Sequence, residues 1–151
     1  MSIGQGEIET TPLQMANMTA AIANRGYYYI PHIVRSVGDN EPIDKKFLTK
    51  RVVSIDTALF GPIIDGMEEA VNGGGGATAS VAALKGIPVC GKTGTAQSLS
   101  PQGGYRHGKY IASFVCGAPA ERPEVLVLVV VNQATTGGEA FGGRVAAPAA
   151  A

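Results

Sequence analysis

Three extended segments in the C-terminal half constrain the fold of this chain more than any other feature. Residues 87–97, 110–117 and 124–132 are rich in β-branched and apolar side chains, whereas the earlier part of the chain shows helical spacing. Residues 98–109 and 118–123 connect the three segments. Short connections of this kind favour antiparallel neighbours. The sequence therefore predicts a three-stranded antiparallel meander.

The first half of the chain opens with a strong helix-start signal. Thr11 precedes Pro12, and Gln14 follows three residues after Thr11, which is the pattern of a capping box with proline in the first turn. The pattern predicts a helix over residues 12–24 that ends before Gly26. We expect a broad face of this helix to be buried, formed by Leu13, Met15, Ala16, Met18, Ala20, Ile22 and Ala23.

A second helix is predicted after a cap at Ser54 or Asp56. Pro62 should kink this helix or mark its true start, and the four glycines 73–76 should end it. Its expected buried face consists of Phe60, Ile63, Ile64, Met67 and Val71.

The remaining segments are shorter. We expect residues 27–37 to be extended, with Pro31 confining them to a sheet edge, and residues 38–50 to form turns. Residues 52–53 should be a short extended piece, residues 78–84 a short helical turn, and residues 144–151 the start of a last helix. The order is helix, strand, helix, three strands, helix, which predicts a single α+β domain.

Composition excludes several classes of function. Twelve basic and twelve acidic side chains give no net charge, so nothing favours nucleic acid or an anionic membrane surface as a partner. The longest apolar run, residues 125–131, is far shorter than the roughly 20 residues that a membrane-spanning helix needs. No signal peptide is visible at the start of the sequence. We expect no cofactor and no metal.

The cysteines and histidines are weak candidates for chemistry. Cys90 and Cys116 fall on strands predicted to be neighbours, so a cross-strand disulfide is conceivable, although we expect two buried thiols. His32 follows a proline in an extended segment and is expected to be structural. His107 lies in a polar loop and is expected to be solvated.

One segment, residues 90–96, matches two motifs that imply different proteins. Residues 86–93 fit the phosphate-binding pattern G-x-x-x-x-G-K-[ST]. That motif needs backbone N–H groups around a phosphate and a helix directly after it, but Pro88 has no N–H and the residues after Thr93 are poor helix starters. A nucleotide-binding assay would reveal this alternative. The second motif, Lys92-Thr93-Gly94, asks instead for an extended strand, on which Lys92 can point into a cleft.

Several further segments accompany Lys92-Thr93-Gly94 in a characteristic order. In that order they resemble class B penicillin-binding proteins across almost the whole chain. The sequence departs from the family at Cys116-Gly117, where Gly-Phe is more usual. The segments are Ile3-Gly4-Gln5-Gly6, residues 11–16 and 20–26, Pro31-His32-Ile33-Val34, residues 90–97, Ser113-Phe114-Val115, Ala118-Pro119 and Ala146-Ala147-Pro148.

The resemblance implies a fold, a reaction and roles for four residues. The fold is that of penicillin-binding proteins and serine β-lactamases, an antiparallel sheet flanked by helices. The reaction joins peptidoglycan stem peptides by attack of a serine on a D-alanyl-D-alanine bond, through an acyl-enzyme that β-lactams also form. Lys92 would be catalytic, Thr93 and Thr95 would contact the substrate carboxylate, and Gly94 would let the substrate backbone lie close. The Thr95 N–H would be an oxyanion-hole donor.

Two elements that this family requires are missing from the sequence. No serine has lysine three residues later, as in Ser-x-x-Lys, or asparagine two residues later, as in Ser-x-Asn. Residues 1–151 are therefore expected to be the C-terminal part of a single transpeptidase domain, truncated at both ends and inactive alone. The parent enzyme would be anchored at the extracytoplasmic face of the bacterial inner membrane, in a cell-wall synthesis complex. A non-catalytic sensor or scaffold that lost the serine is the rival hypothesis.

Overall fold

The computed structural model describes residues 8–39, 41–135 and 140–151, and its core is a three-stranded antiparallel sheet. Residues 3–6, which form part of the resemblance described above, lie outside the described residues. The helices are α1 (Pro12–Ala23), α2 (Lys45–Leu48), α3 (Phe60–Asn72) and α4 (Gly142–Val145). The strands are β1 (Tyr27–Tyr28), β2 (Ser36–Val37), β3 (Glu41–Pro42), β4 (Arg51–Val52), β5 (Cys90–Leu99), β6 (Tyr105–Ala118) and β7 (Val125–Ala134).

The predicted meander is confirmed, with strands longer than expected. The order is β5-β6-β7, and both pairs are antiparallel. The segment predicted as the loop 98–109 is mostly strand, because a tight turn with Gly103 and Gly104 at positive φ lets β5 continue to Leu99 and β6 begin at Tyr105. Glycine adopts such φ values without steric cost, so the hairpin needs few connecting residues.

Helix α1 begins as predicted but is buried less. The Thr11 hydroxyl accepts from the Gln14 N–H at 3.3 Å, and the Gln14 side chain accepts from the Thr11 N–H at 2.8 Å. The expected broad buried face is wrong, since Leu13 and Met18 are about 60% exposed (61% and 60%). The buried residues are Thr19 and Ala23, and near the C-terminal end Ile22 lies against the cluster of Met67, Cys90 and Ala120.

Helix α3 carries the expected apolar face, with one exception. Phe60, Ile64, Met67 and Val71 are buried, while Ile63 is 47% exposed. Asp56 caps a 3-10 turn, Thr57–Leu59, that leads into the helix. Pro62 falls in the first turn and thus marks the start of α3, where a missing N–H costs nothing. The glycines end the helix at Asn72, as predicted.

The irregular segments depart furthest from expectation. Residues 27–37 are not one strand: β1 pairs with β4, and β2 pairs with β3, each over two residues. Residues 38–50 contain β3 and α2 in addition to turns. Residues 78–84 contain the 3-10 turn Ser80–Ala82, and the last helix begins two residues before the predicted 144 and continues as the 3-10 turn Ala147–Ala149.

The main core lies on one face of the sheet. Phe114 of β6 is fully buried at its centre, and Ala146 and Ala147, next to α4, are also fully buried. Val71 of α3 and Val89, just before β5, complete the contacts around the ring. This core attaches both α3 and α4 to β5 and β6.

The cysteines lie on opposite faces of the sheet. Cys90 is opposite Gly117, whereas Cys116 is opposite Gly91, and neighbouring residues of a strand point to opposite faces. Cys116 packs in the main core, and Cys90 packs with Met67 on the other side. Both are free thiols, as expected, and burial raises the pKa of each.

Gly91→Ala should lower the free energy of unfolding by about 1–3 kcal/mol, because overpacking a core displaces its side chains. A Cβ at Gly91 would lie 2.7 Å from Cζ of Phe114 and 3.0 Å from the carbonyl oxygen of Val115. Gly66→Ala is the matched control: nothing lies within 4 Å of its Cβ on α3, so it should raise stability by about 0.5–1 kcal/mol. Urea unfolding measures both, and equal effects would contradict the packing described.

The thiols should remain reduced and unreactive in the folded protein. Since burial raises both pKa values, the thiolate fraction near pH 8 is below that of an ordinary cysteine, and thiolate is the reactive form. Under mild oxidant, intact-mass measurement should show no loss of two hydrogens. Labelling by iodoacetamide should require denaturant, and rapid labelling without it would contradict this arrangement.

Candidate active site

The motif Lys92-Thr93-Gly94-Thr95 lies in the middle of β5. Lys92 is opposite Val115, Gly94 is opposite Ser113, and the strand continues to Leu99. This confirms the prediction that the motif lies in an extended strand. The phosphate-loop alternative is wrong, because no helix follows Thr93. Among the described residues β5 pairs only with β6, so its other edge presents unpaired backbone groups.

Lys92 carries a positive charge that no described carboxylate neutralises. Its side chain is exposed, as predicted, and its Nζ donates to the carbonyl oxygen of Thr93 at 2.6 Å. Within the described ranges the salt bridge present joins Lys46 and Asp44, far along the chain. The ammonium therefore lies beside the motif strand with donor capacity left for an anionic or polar ligand.

The two threonines face the opposite side of the strand from Lys92. Residues 93 and 95 alternate with 92 and 94, so their side chains share one face. The Thr93 hydroxyl lies 3.4 Å from the Thr78 hydroxyl, and the Thr95 hydroxyl accepts from the Gly142 N–H at 3.1 Å. The Lys92 ammonium donates to the carbonyl oxygen of Thr93 and therefore lies beside the backbone of that threonine. The side chains of Lys92 and Thr93 still project to different faces of the sheet.

Glycines allow close approach around the motif. A Cβ at Gly94 would overlap Oγ of Ser113 on the neighbouring strand. A Cβ at Gly142 would overlap the carbonyl oxygen of Ser113 and lie 2.5 Å from that of Gly94, and one at Gly143 would overlap the carbonyl oxygen of Thr78. The start of α4 and the segment around Thr78 thus lie directly against β5.

Three hydrogen bonds hold the segments around the motif, two of them to the residues just before β5. The Asn72 side-chain amide, at the end of α3, donates to the carbonyl oxygen of Val89 at 2.7 Å. The Ala120 N–H donates to the carbonyl oxygen of Pro88 at 2.8 Å, and the Ala79 N–H donates to that of Ala70 at 2.9 Å. These bonds fix β5 and the Thr78 segment relative to α3, and such support gives a site its precision.

Sequence reasoning found the motif but missed its supporting residues. Thr78, Gly142 and Gly143 were not predicted as part of the site. The glycine pair before the last helix can mark a close approach of two backbones, but the sequence does not say which element approaches.

The other candidates lie away from the motif. His32 contacts the carbonyl oxygen of Ile30 through Nδ1 at 2.9 Å, and its ring lies 5.1 Å from that of Phe47, consistent with a structural role. His107 is exposed on β6, on strand and not in a loop. In the described part of the chain, no three His, Cys, Asp or Glu side chains gather as metal ligands.

Comparison with known proteins gives one family over the full sequence. The model of the penicillin-binding protein transpeptidase domain matches residues 1–151. Stage V sporulation protein D of Bacillus subtilis is 36% identical over 97% of this chain, and the peptidoglycan D,D-transpeptidase FtsI of Escherichia coli K12 is 35% identical over 97%. The chain spans only 22% and 23% of these two relatives.

Solved structures of penicillin-binding proteins are similar to this chain in fold. Penicillin-binding protein 3 of Mycobacterium tuberculosis superposes with a TM-score of 0.78 at 27% identity, over 97% of this chain and 34% of that one. PBP2 of Pseudomonas aeruginosa, in complex with WCK 5153, gives a TM-score of 0.73 at 34% identity, over 98% and 29%. The predicted fold class is confirmed.

Proposed function

Because this chain belongs to the penicillin-binding protein transpeptidase family, we propose that it is the C-terminal part of the catalytic domain of a serine-type peptidoglycan D,D-transpeptidase. The observation that carries the proposal is the open edge of β5, where the Lys92 ammonium, paired with no described carboxylate, donates to the carbonyl oxygen of Thr93. The names of its relatives support the reaction class.

The substrate would be a stem peptide ending in D-alanyl-D-alanine. An extended peptide can pair with the free backbone groups of an edge strand, but the side-chain space at Gly94 is already filled by Oγ of Ser113. The hydroxyls of Thr93 and Thr95 would donate to the terminal carboxylate, which can only accept. Lys92 would add positive charge that orients this anion and assists proton transfer.

The covalent step requires a serine with lysine three residues later, and no serine of this sequence has one. The hydroxyl oxygen of the required serine would attack the carbonyl carbon between the two D-alanines while a base takes the proton. The Thr95 N–H would stabilise the oxyanion, the C–N bond would break, and D-alanine would leave with a proton. The amine of a second stem peptide would then attack the ester, forming the cross-link and releasing the serine. A β-lactam would acylate the same serine by opening its ring amide.

The setting of the parent protein is also a proposal. A protein that cross-links peptidoglycan must reach the extracytoplasmic face of the inner membrane, so we place it there, anchored by a segment outside this sequence and within a cell-wall synthesis complex. Among the described helices none has the length and apolar character needed to cross a bilayer.

Labelling with a fluorescent penicillin tests the proposed function. The complete domain should form a covalent adduct, and Lys92→Ala should slow its formation about 10- to 100-fold, the range expected for losing a hydrogen bond to a charged group. Lys85→Ala, which removes an exposed lysine just before β5, is the matched control and should label normally. Residues 1–151 alone should give no adduct by mass spectrometry.

Three outcomes would contradict parts of this proposal. If the Lys92→Ala variant forms the penicillin adduct as fast as the wild type, the β5 edge is not the site. A complete domain that never labels would favour the non-catalytic sensor. An adduct on a serine of the isolated chain would show that the nucleophile has been misplaced.

A further inference from the structure

The bond between α4 and the motif strand fixes the direction of one hydroxyl. The Gly142 N–H donates to Oγ1 of Thr95 at 3.1 Å, although the two residues are 47 apart in sequence. A backbone N–H can only donate, whereas a hydroxyl has one donor proton and two acceptor positions. Since Thr95 accepts from Gly142, its own proton must point elsewhere and is available to an acceptor.

The short distance depends on Gly142 having no side chain. Gly142 is buried, and a Cβ there would overlap the carbonyl oxygen of Ser113 and lie 2.5 Å and 3.0 Å from the backbone O and N of Gly94. Its φ is not positive, so the requirement is for space and not for a left-handed conformation. Any larger residue must move α4 away from Thr95.

Helix α4 is rigidly attached behind this contact. The Ala146 N–H donates to the carbonyl oxygen of Gly142 at 2.9 Å. Ala146 and Ala147 are fully buried in the core around Phe114. The N–H of Gly142 is therefore held in place by the same core that holds the motif strand.

We infer that Gly142 is a positioning residue, whose backbone N–H turns the Thr95 hydroxyl so that its proton faces the carboxylate of the bound ligand. The inference rests on the proposed function, in which Thr95 contacts that carboxylate. Gly142 touches no reacting atom and acts only through Thr95. An unoriented hydroxyl would spend part of its time with the proton turned away from the ligand, which weakens carboxylate binding.

The kinetic test is a double-mutant cycle in the complete domain, with benzylpenicillin as the carboxylate-bearing probe. Gly142→Ala should lower the second-order acylation rate about 3- to 10-fold, the range for one neutral hydrogen bond. In a Thr95→Val background the same change should alter the rate less than about 2-fold, because the hydroxyl it positions is gone. Gly66→Ala, in open space on α3, should leave the rate unchanged. An equal effect of Gly142→Ala in both backgrounds would overturn the inference.

A second measurement needs no substitution at Gly142. Amide hydrogen exchange at Gly142 should accelerate by about 10-fold in Thr95→Val, which removes its acceptor, and remain slow in Thr95→Ser, which keeps the hydroxyl. Unchanged exchange in Thr95→Val would refute the bond even if Gly142→Ala does not fold. The two proposals fail differently. If the Thr95→Val variant is acylated at the normal rate, the proposed role of Thr95 is wrong. If Thr95→Val is acylated slowly but the effects of Thr95→Val and Gly142→Ala simply add, only the role of Gly142 is wrong.

Discussion

The ladder between β5 and β6 is uninterrupted from Cys90 opposite Gly117 to Gln97 opposite Tyr110, and both the core and the candidate site depend on its register. This register places Phe114 opposite Thr93 and over the Cα of Gly91. A slip of one residue between the two strands would put Phe114 and Thr93 on opposite faces of the sheet. The core contacts of Phe114 therefore also determine which way the threonines point.

The site is assembled from segments that are far apart in sequence but joined by backbone contacts. Helix α3 holds the start of β5 through Asn72, and α4 reaches Thr95 through Gly142. Neither contact uses a charged side chain, so neither depends directly on the ionisation of its partners. Lys92 then places a positive charge at the open edge of β5, which is a suitable arrangement for selecting a ligand with a negative end.

Local signals in the sequence predicted local structure well. The capping box at Thr11, the glycine stop after α3 and the three strands all follow from neighbouring residues. The exposure of Leu13 and the contacts of Thr78 and Gly142 could not be predicted, because they depend on which distant element packs against each residue. The motif itself was recognisable from its order among other segments, whereas the faces of its side chains required the observed register.

The most direct test of the central claim is a crystal structure of the complete domain acylated by a carboxylate-bearing β-lactam. We expect the ligand carboxylate to lie within hydrogen-bonding distance, about 2.5–3.0 Å, of the hydroxyls of Thr93 and Thr95, with the ligand along the free edge of β5. A ligand whose carboxylate binds elsewhere, leaving that edge and both hydroxyls without contact, would contradict the account.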